Sequence, residues 1–131
     1  MLVIDASCLF EVVAGTGLAE TVRTRWEQDP DHSAPHLVDA EVLGIIRREH
    51  LLGDLDATAA SLAVSELADW PGERVGHRPL LARAWELRAS VRSWDALYVA
   101  LAEALEATLL TGDARLARAP GPRCHIEVIG A

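Results

Sequence analysis

The sequence predicts an α/β fold with a mostly parallel central sheet, and two observations carry that expectation. Short runs of aliphatic and β-branched residues, such as LVI at the start and TLLT near position 110, recur along the chain. Longer stretches with apolar residues at helical spacing lie between them. Parallel strands need a crossover, and a helix is the usual one, so this alternation reads as helices packed on a parallel sheet.

Taken in order, Leu2 to Ile4 form the first strand, and ASCLFEVVAG is a short helix that Ser7 can cap and Gly15 can end. GLAETVRTRWEQ is a second, amphipathic helix closed by the polar turn DPDHS. A very short strand near Ala34 leads into a helix from about Val38 to Leu52, with Glu41 in its first turns. DATAASLAVSELADW is a helix with Asp54 or Asp56 as cap, and Pro71 and Gly72 break it. ERVG is a short strand and LLARAWELRASV a helix. SWDALYVALAEALEA, starting at Ser93 or Asp95, is apolar on most faces and therefore belongs inside. ATLLTGD is a strand and turn, ARLARA a short helix, and HIEVIG the last strand.

Composition narrows the function. At 131 residues and 50% hydrophobic content the chain suits one compact domain, 1–131, with no internal repeat or linker. Cys8 and Cys124 form neither a zinc pattern nor a disulfide scaffold. The most apolar stretch carries Glu103 and Glu106 and no basic leader is present, so the expectation is a soluble, cytoplasmic protein without a membrane span. Twenty acidic residues against twelve basic give a net charge of −8, which restricts any nucleic-acid contact to local patches. Every basic residue is an arginine, which excludes chemistry that needs a lysine on a phosphate or in a Schiff base.

Asp5 is the informative residue, because an ionised carboxylate ends an apolar strand. In parallel α/β sheets the functional crevice lies at the carboxyl ends of the strands, where Asp5 stands. A helix of about 12 residues from Asp95 runs roughly 18 Å away from that edge, and the strand ATLLT climbs roughly 16 Å back, so Asp95 and Asp113 meet there. Glu41 arrives by the same logic. Singly, each acid reads most simply as a helix cap or a surface residue. Together they repel: two carboxylates about 6 Å apart cost about 3 kcal/mol at an effective dielectric near 20. A divalent cation is the simplest remedy, and oxygen-only ligation favours Mg²⁺ or Mn²⁺ over zinc.

Four motifs, VIDAS with Asp5 and Ser7, P-x-L-x-x-x-E from Pro35 to Glu41, WDALYVALA with Asp95, and LLTGDARL with Thr111 and Asp113, follow in this order. In these the sequence resembles the PIN-domain ribonucleases, and in size the VapC toxins of VapBC toxin–antitoxin pairs. The resemblance implies a three-layer α/β/α PIN domain with about four to five short strands. It also implies an acidic metal site of Asp5, Glu41, Asp95 and Asp113, with Ser7 and Thr111 as hydroxyl partners. It further implies a VapB-type antitoxin whose tail crosses the acidic groove, and a homodimer. The expected activity is Mg²⁺- or Mn²⁺-dependent hydrolysis of phosphodiester bonds in structured RNA, tRNA or rRNA, leaving a 5′-phosphate and a 3′-hydroxyl. Glu41 either completes the metal shell or orients the attacking water.

Arg47, Arg48 and Arg115 are candidates for RNA phosphates, with surface salt bridges as the alternative. Trp26, Trp70, Trp85 and Trp94 are candidates for base stacking, although large aromatics flanking helices more often serve packing or interfaces. The apolar sets around Val22 and Leu43 suit an interface or a core equally. His32, His36, His50, His77 and His125 form no constellation. Receiver domains and haloacid-dehalogenase phosphatases are disfavoured because no lysine exists, and neither G-x-G-x-x-G nor G-x-S-x-G occurs. Two other readings remain: a catalytically silent PIN-fold module that binds RNA or protein, and a non-toxin PIN nuclease of RNA processing or repair.

Overall fold

The computed structural model describes residues 1–130. Its elements are β1 (Leu2–Ile4), α1 (Ala6–Ala14), α2 (Ala19–Gln28), β2 (His32–Pro35), α3 (Leu37–Leu51), α4 (Ala57–Asp69) and β3 (Glu73–Val75). A 3₁₀ turn at Arg78–Leu80 precedes α5 (Leu81–Glu86), and α6 (Ser93–Leu105), β4 (Thr108–Thr111), α7 (Ala114–Arg118) and β5 (Ile126–Val128) complete the order. The five strands form one sheet in the order β3-β2-β1-β4-β5, and every neighbouring pair is parallel. Helices α1 to α4 pack with one another and α6 packs on β1, β2 and β4 with α5 against it, giving the three-layer α/β/α arrangement.

Burial explains which segments became central. Leu2, Val3, Ile4, Leu109 and Leu110 are fully buried, which fits β1 and β4 as the inner strands of a sheet covered on both faces. Helix α6 is buried through seven consecutive residues, Ala96 to Ala102, as its all-round apolar sequence requires. Each fully buried Leu or Val of this kind contributes about 1.5–3 kcal/mol relative to exposure.

Local chemistry sets the helix ends. Asp5, rather than Ser7, is the N-cap of α1, and Asp56 and Asp113 cap α4 and α7, each accepting a backbone N–H of the first turn. Gly15, at φ 67°, ends α1 as expected, whereas α6 ends on Glu106 at φ 52°, a left-handed conformation without glycine. The helix expected over LLARAWELRASV stops at Glu86. The chain then turns through Leu87–Ser90, burying Leu87 and Val91, so that it can reverse into α6. Among the described residues no helix is long and apolar enough to cross a membrane.

Register positions the carboxyl-terminal edge of the sheet. Leu2 pairs with Thr108 and Ile4 with Leu110, and the Asp5 N–H continues the ladder to the Leu110 carbonyl at 3.1 Å. Asp5 and Thr111 thereby leave adjacent strands side by side at their carboxyl ends.

Candidate active site

Asp5 is fixed by three donors. The Ser7 hydroxyl donates to its Oδ1 at 2.7 Å, the Cys8 N–H donates to the same oxygen at 3.0 Å, and the Thr111 hydroxyl donates to Oδ2. Burial nevertheless pushes the Asp5 carboxyl above its ordinary value, because these neutral donors offset only part of the lost hydration. The same burial pushes the Cys8 thiol up, so Cys8 is a packing residue under the site.

Thr111 connects the ends of β1 and β4, since its Oγ1 also accepts the Asp113 N–H at 3.0 Å. Between them, the Gly112 N–H donates to Ser7 Oγ at 3.1 Å, and a Cβ on Gly112 would stand only 3.1 Å from that same oxygen. Asp113 Oδ1 accepts the Arg115 N–H at 2.8 Å and its Nε–H at 3.4 Å. Partial desolvation of Asp113 is outweighed by these bonds and by the Arg115 charge, so its carboxyl is held low.

The other two acids come from helices. Glu41 lies one turn into α3 and its Oε1 accepts the Tyr98 hydroxyl at 2.8 Å. Burial raises the Glu41 carboxyl, the Tyr98 bond lowers it, and the charges of Asp95 and Asp5 raise it again. Asp95, in the first turn of α6, receives Arg92 through Nε and Nη2, both 3.3 Å from Oδ2. All four carboxylates, with Ser7, Tyr98, Arg92 and Arg115, line one cavity of about 520 Å³, whose apolar wall includes Leu18, Val22 and Ile45.

The structure thus brings Asp5, Glu41, Asp95, Asp113, Ser7 and Arg115 to one cavity and places Thr111 directly beneath it. Arg47 and Arg48 do not line it: they are exposed about two turns further along α3, and Arg48 Nε stands 3.5 Å from Glu49. Val22 is fully buried, whereas Leu43 is half exposed, so only the latter is free for an interface. Sequence reasoning missed Tyr98 and Arg92. Their signal is helical phase, since both lie three residues from Asp95 and share its face.

Two guanidinium groups do not balance four carboxylates. Among the described residues neither Asp5 nor Glu41 has an ion-pair partner. An uncompensated buried carboxylate in an all-oxygen donor set fits a hard divalent cation. Among the described residues no three His, Cys, Asp or Glu side chains already enclose a metal position.

The PIN-domain family model matches residues 2–122. Ribonuclease VapC1 of Mycobacterium tuberculosis is 41% identical over 128 residues, covering 97% of this chain and 96% of that protein. The chain belongs to the PIN-domain family of VapC ribonucleases. VapC3 of the same organism is 41% identical over 125 residues, covering 95% of this chain and 90% of its own. FitAcB from Neisseria gonorrhoeae shares the PIN fold at a TM-score of 0.73, with 14% identity and 96% of both chains covered.

Proposed function

We propose that this VapC-family chain is a Mg²⁺- or Mn²⁺-dependent endoribonuclease that hydrolyses phosphodiester bonds in structured RNA, tRNA or rRNA, leaving a 5′-phosphate and a 3′-hydroxyl. It acts as a homodimer and as the toxin of a pair silenced by a VapB-type antitoxin. The observation that carries this reading is the convergence of four carboxylates from distant parts of the chain on one cavity, two of them without a counter-ion. The ribonuclease names of its relatives give the same direction.

Asp5, Asp95 and Asp113, with Glu41 directly or through water, would hold the divalent ion. The ion supplies a Lewis acid that activates water and offsets phosphate charge. Thr111 and Ser7 fix both Asp5 oxygens, so the central ligand does not reorganise during turnover. Glu41 is held through Oε1 by Tyr98, which orients its second oxygen; its raised carboxyl suits proton uptake from an attacking water. Arg92 and Arg115, which line the cavity, would meet RNA phosphates. The acidic surface complements a basic antitoxin segment, and the exposed Leu43, Leu51 and Leu62 on α3 and α4 offer apolar surface for a second copy.

The test is cleavage of total bacterial RNA by the purified chain with Mg²⁺, with Mn²⁺ and with chelator, beside Asp5→Asn and Asp95→Asn, with ends mapped by sequencing. Metal-dependent cuts at defined sites, lost in both variants, are expected. Folded, antitoxin-free protein that cuts in no metal would instead favour a silent binding module, in which the carboxylates keep their protein partners.

A further inference from the structure

We propose that Trp94 and Trp85, with Arg88 and Arg92, form a base-stacking strip that leads single-stranded RNA into the carboxylate cavity. The proposal rests on the nuclease reading and adds the residues that position its substrate.

The four tryptophans divide sharply. Trp26 and Trp70 pack in the interior, their ring centroids 6.4 Å apart, with the Arg74 guanidinium 4.8 Å from the Trp70 ring. Trp85 and Trp94 are 67% and 63% exposed. Two large aromatics left in water on one face are an interaction surface rather than packing. Among the described residues no aromatic or guanidinium group stacks on Trp94.

Their position ties them to the reaction. Trp94 immediately precedes Asp95 in the first turn of α6, and with Arg92, Asp95 and Glu41 it lines a concavity of about 410 Å³. Trp85 lines the adjoining concavity of about 310 Å³ with Arg88 and Arg92. Arg92 and Ser93 belong to both, and Arg92 also lines the carboxylate cavity, so the three depressions adjoin one another around Arg92. Arg88 lies with its guanidinium 4.6 Å from the Trp85 ring centroid. Interleaved aromatic rings and arginines beside a phosphodiester site are the chemistry that binds unpaired nucleotides.

Stacking beside the carboxylates, with arginine at hand, points to RNA as the occupant. A chain of net charge −8 without lysine has little general attraction for a polyanion. Stacking does not depend on net charge, and the guanidinium groups along the strip supply the local positive charge that phosphates need. A protein partner of acidic chemistry would meet the same arginines but would leave the exposed Trp94 ring beside Asp95 without a use.

The test uses the full chain. A short single-stranded RNA of mixed sequence is titrated in chelator, so that it is bound and not cut, while tryptophan fluorescence is read. KM and kcat for RNA cleavage are measured separately with Mn²⁺, and oligomeric state by light scattering. Trp94→Ala is expected to lose most of the RNA-induced quenching and to raise KM roughly ten-fold or more, with kcat changed far less. Trp85→Ala is expected to do the same more weakly, and Trp94→Phe to restore KM. Unchanged KM and unchanged quenching in Trp94→Ala overturn the proposal. So does a change in oligomeric state that accompanies the loss of affinity and is not rescued by phenylalanine, which would assign the strip to a contact between proteins. A wild-type chain that is quenched by RNA but never cuts it removes the nuclease reading and leaves the stacking strip standing.

Discussion

Thr111→Val isolates the hydroxyl that joins the ends of β1 and β4. Thr111 is fully buried, donates to Asp5 Oδ2, and accepts the Asp113 N–H at 3.0 Å. Valine keeps the shape and removes both bonds. A hydrogen bond to a charged acceptor is worth about 1.5–3 kcal/mol, and the added buried methyl returns about 0.8 kcal/mol. The Asp113 N–H lies beside the open cavity, where water can replace its lost partner. The net cost is therefore about 1–2 kcal/mol, measured by urea denaturation in chelator. The cost should largely disappear in an Asp5→Asn background, because the charged acceptor is gone; the cycle reads the coupling directly. An equal cost in both backgrounds would show that Thr111 stabilises by packing and that the hydroxyl does not hold Asp5.

Other outcomes follow from the same structure. Asp5 and Glu41 are raised above their ordinary values, so the native chain binds their protons more tightly than the unfolded chain. Metal-free stability should fall as pH rises from the ordinary carboxylate range through those raised values, and Asp5→Asn and Glu41→Gln should flatten that slope in denaturation series. Asp29 is held low by its hydrogen bond from the terminal amine, while bonds from Arg83 and Arg123 to Glu103, and from Arg115 to Asp113, outweigh desolvation and hold those two low. Their contributions are present above the ordinary carboxylate range and are lost as pH falls through the lowered values. Mn²⁺ at about 100 times its Kd should stabilise the wild-type chain by about 2.7 kcal/mol in a thermal melt, and Asp5→Asn should lose most of that gain. Gly72→Ala would bring a Cβ to 2.2 Å from the Trp70 ring and should cost about 1–3 kcal/mol in urea unfolding. Glu106→Gly relieves a left-handed residue at φ 52° and should stabilise the chain by about 0.5 kcal/mol in the same assay.

The four carboxylates were legible because each lies at or near an element boundary, and boundaries on one side of a parallel sheet fall at one edge. Asp113 follows the strand ending at Thr111, and Asp95 stands in the first turn of α6, so element lengths alone brought them together. Subtler geometry was not legible. Ser7 and Asp5 are both good caps, and only the backbone at Asp5, at φ −82° and ψ 168°, decides between them. Tyr98 reads as core, and its ring is core at 2% exposure; only its hydroxyl reaches the cavity. Arg47 and Arg48 missed the cavity because Glu41 and Ile45 point one face of α3 into it over a single turn. The division of the tryptophans depends on tertiary packing, to which helix pattern is blind.

The strand order has a consequence during synthesis. The Asp5–Thr111 hydrogen bond spans 106 residues, and β1 gains its β4 neighbour only after residues 108–111 have been made. A nascent chain that has reached Leu105 already carries Asp5, Glu41 and Asp95, but β1 still has an open edge and Asp5 has only its local donors. Asp113 must then clear the ribosome exit tunnel before the fourth carboxylate exists in folded form. A chain made in this order completes the Asp5 hydrogen bonds and the four-carboxylate cavity only after β4 and the turn at Asp113 have folded onto β1.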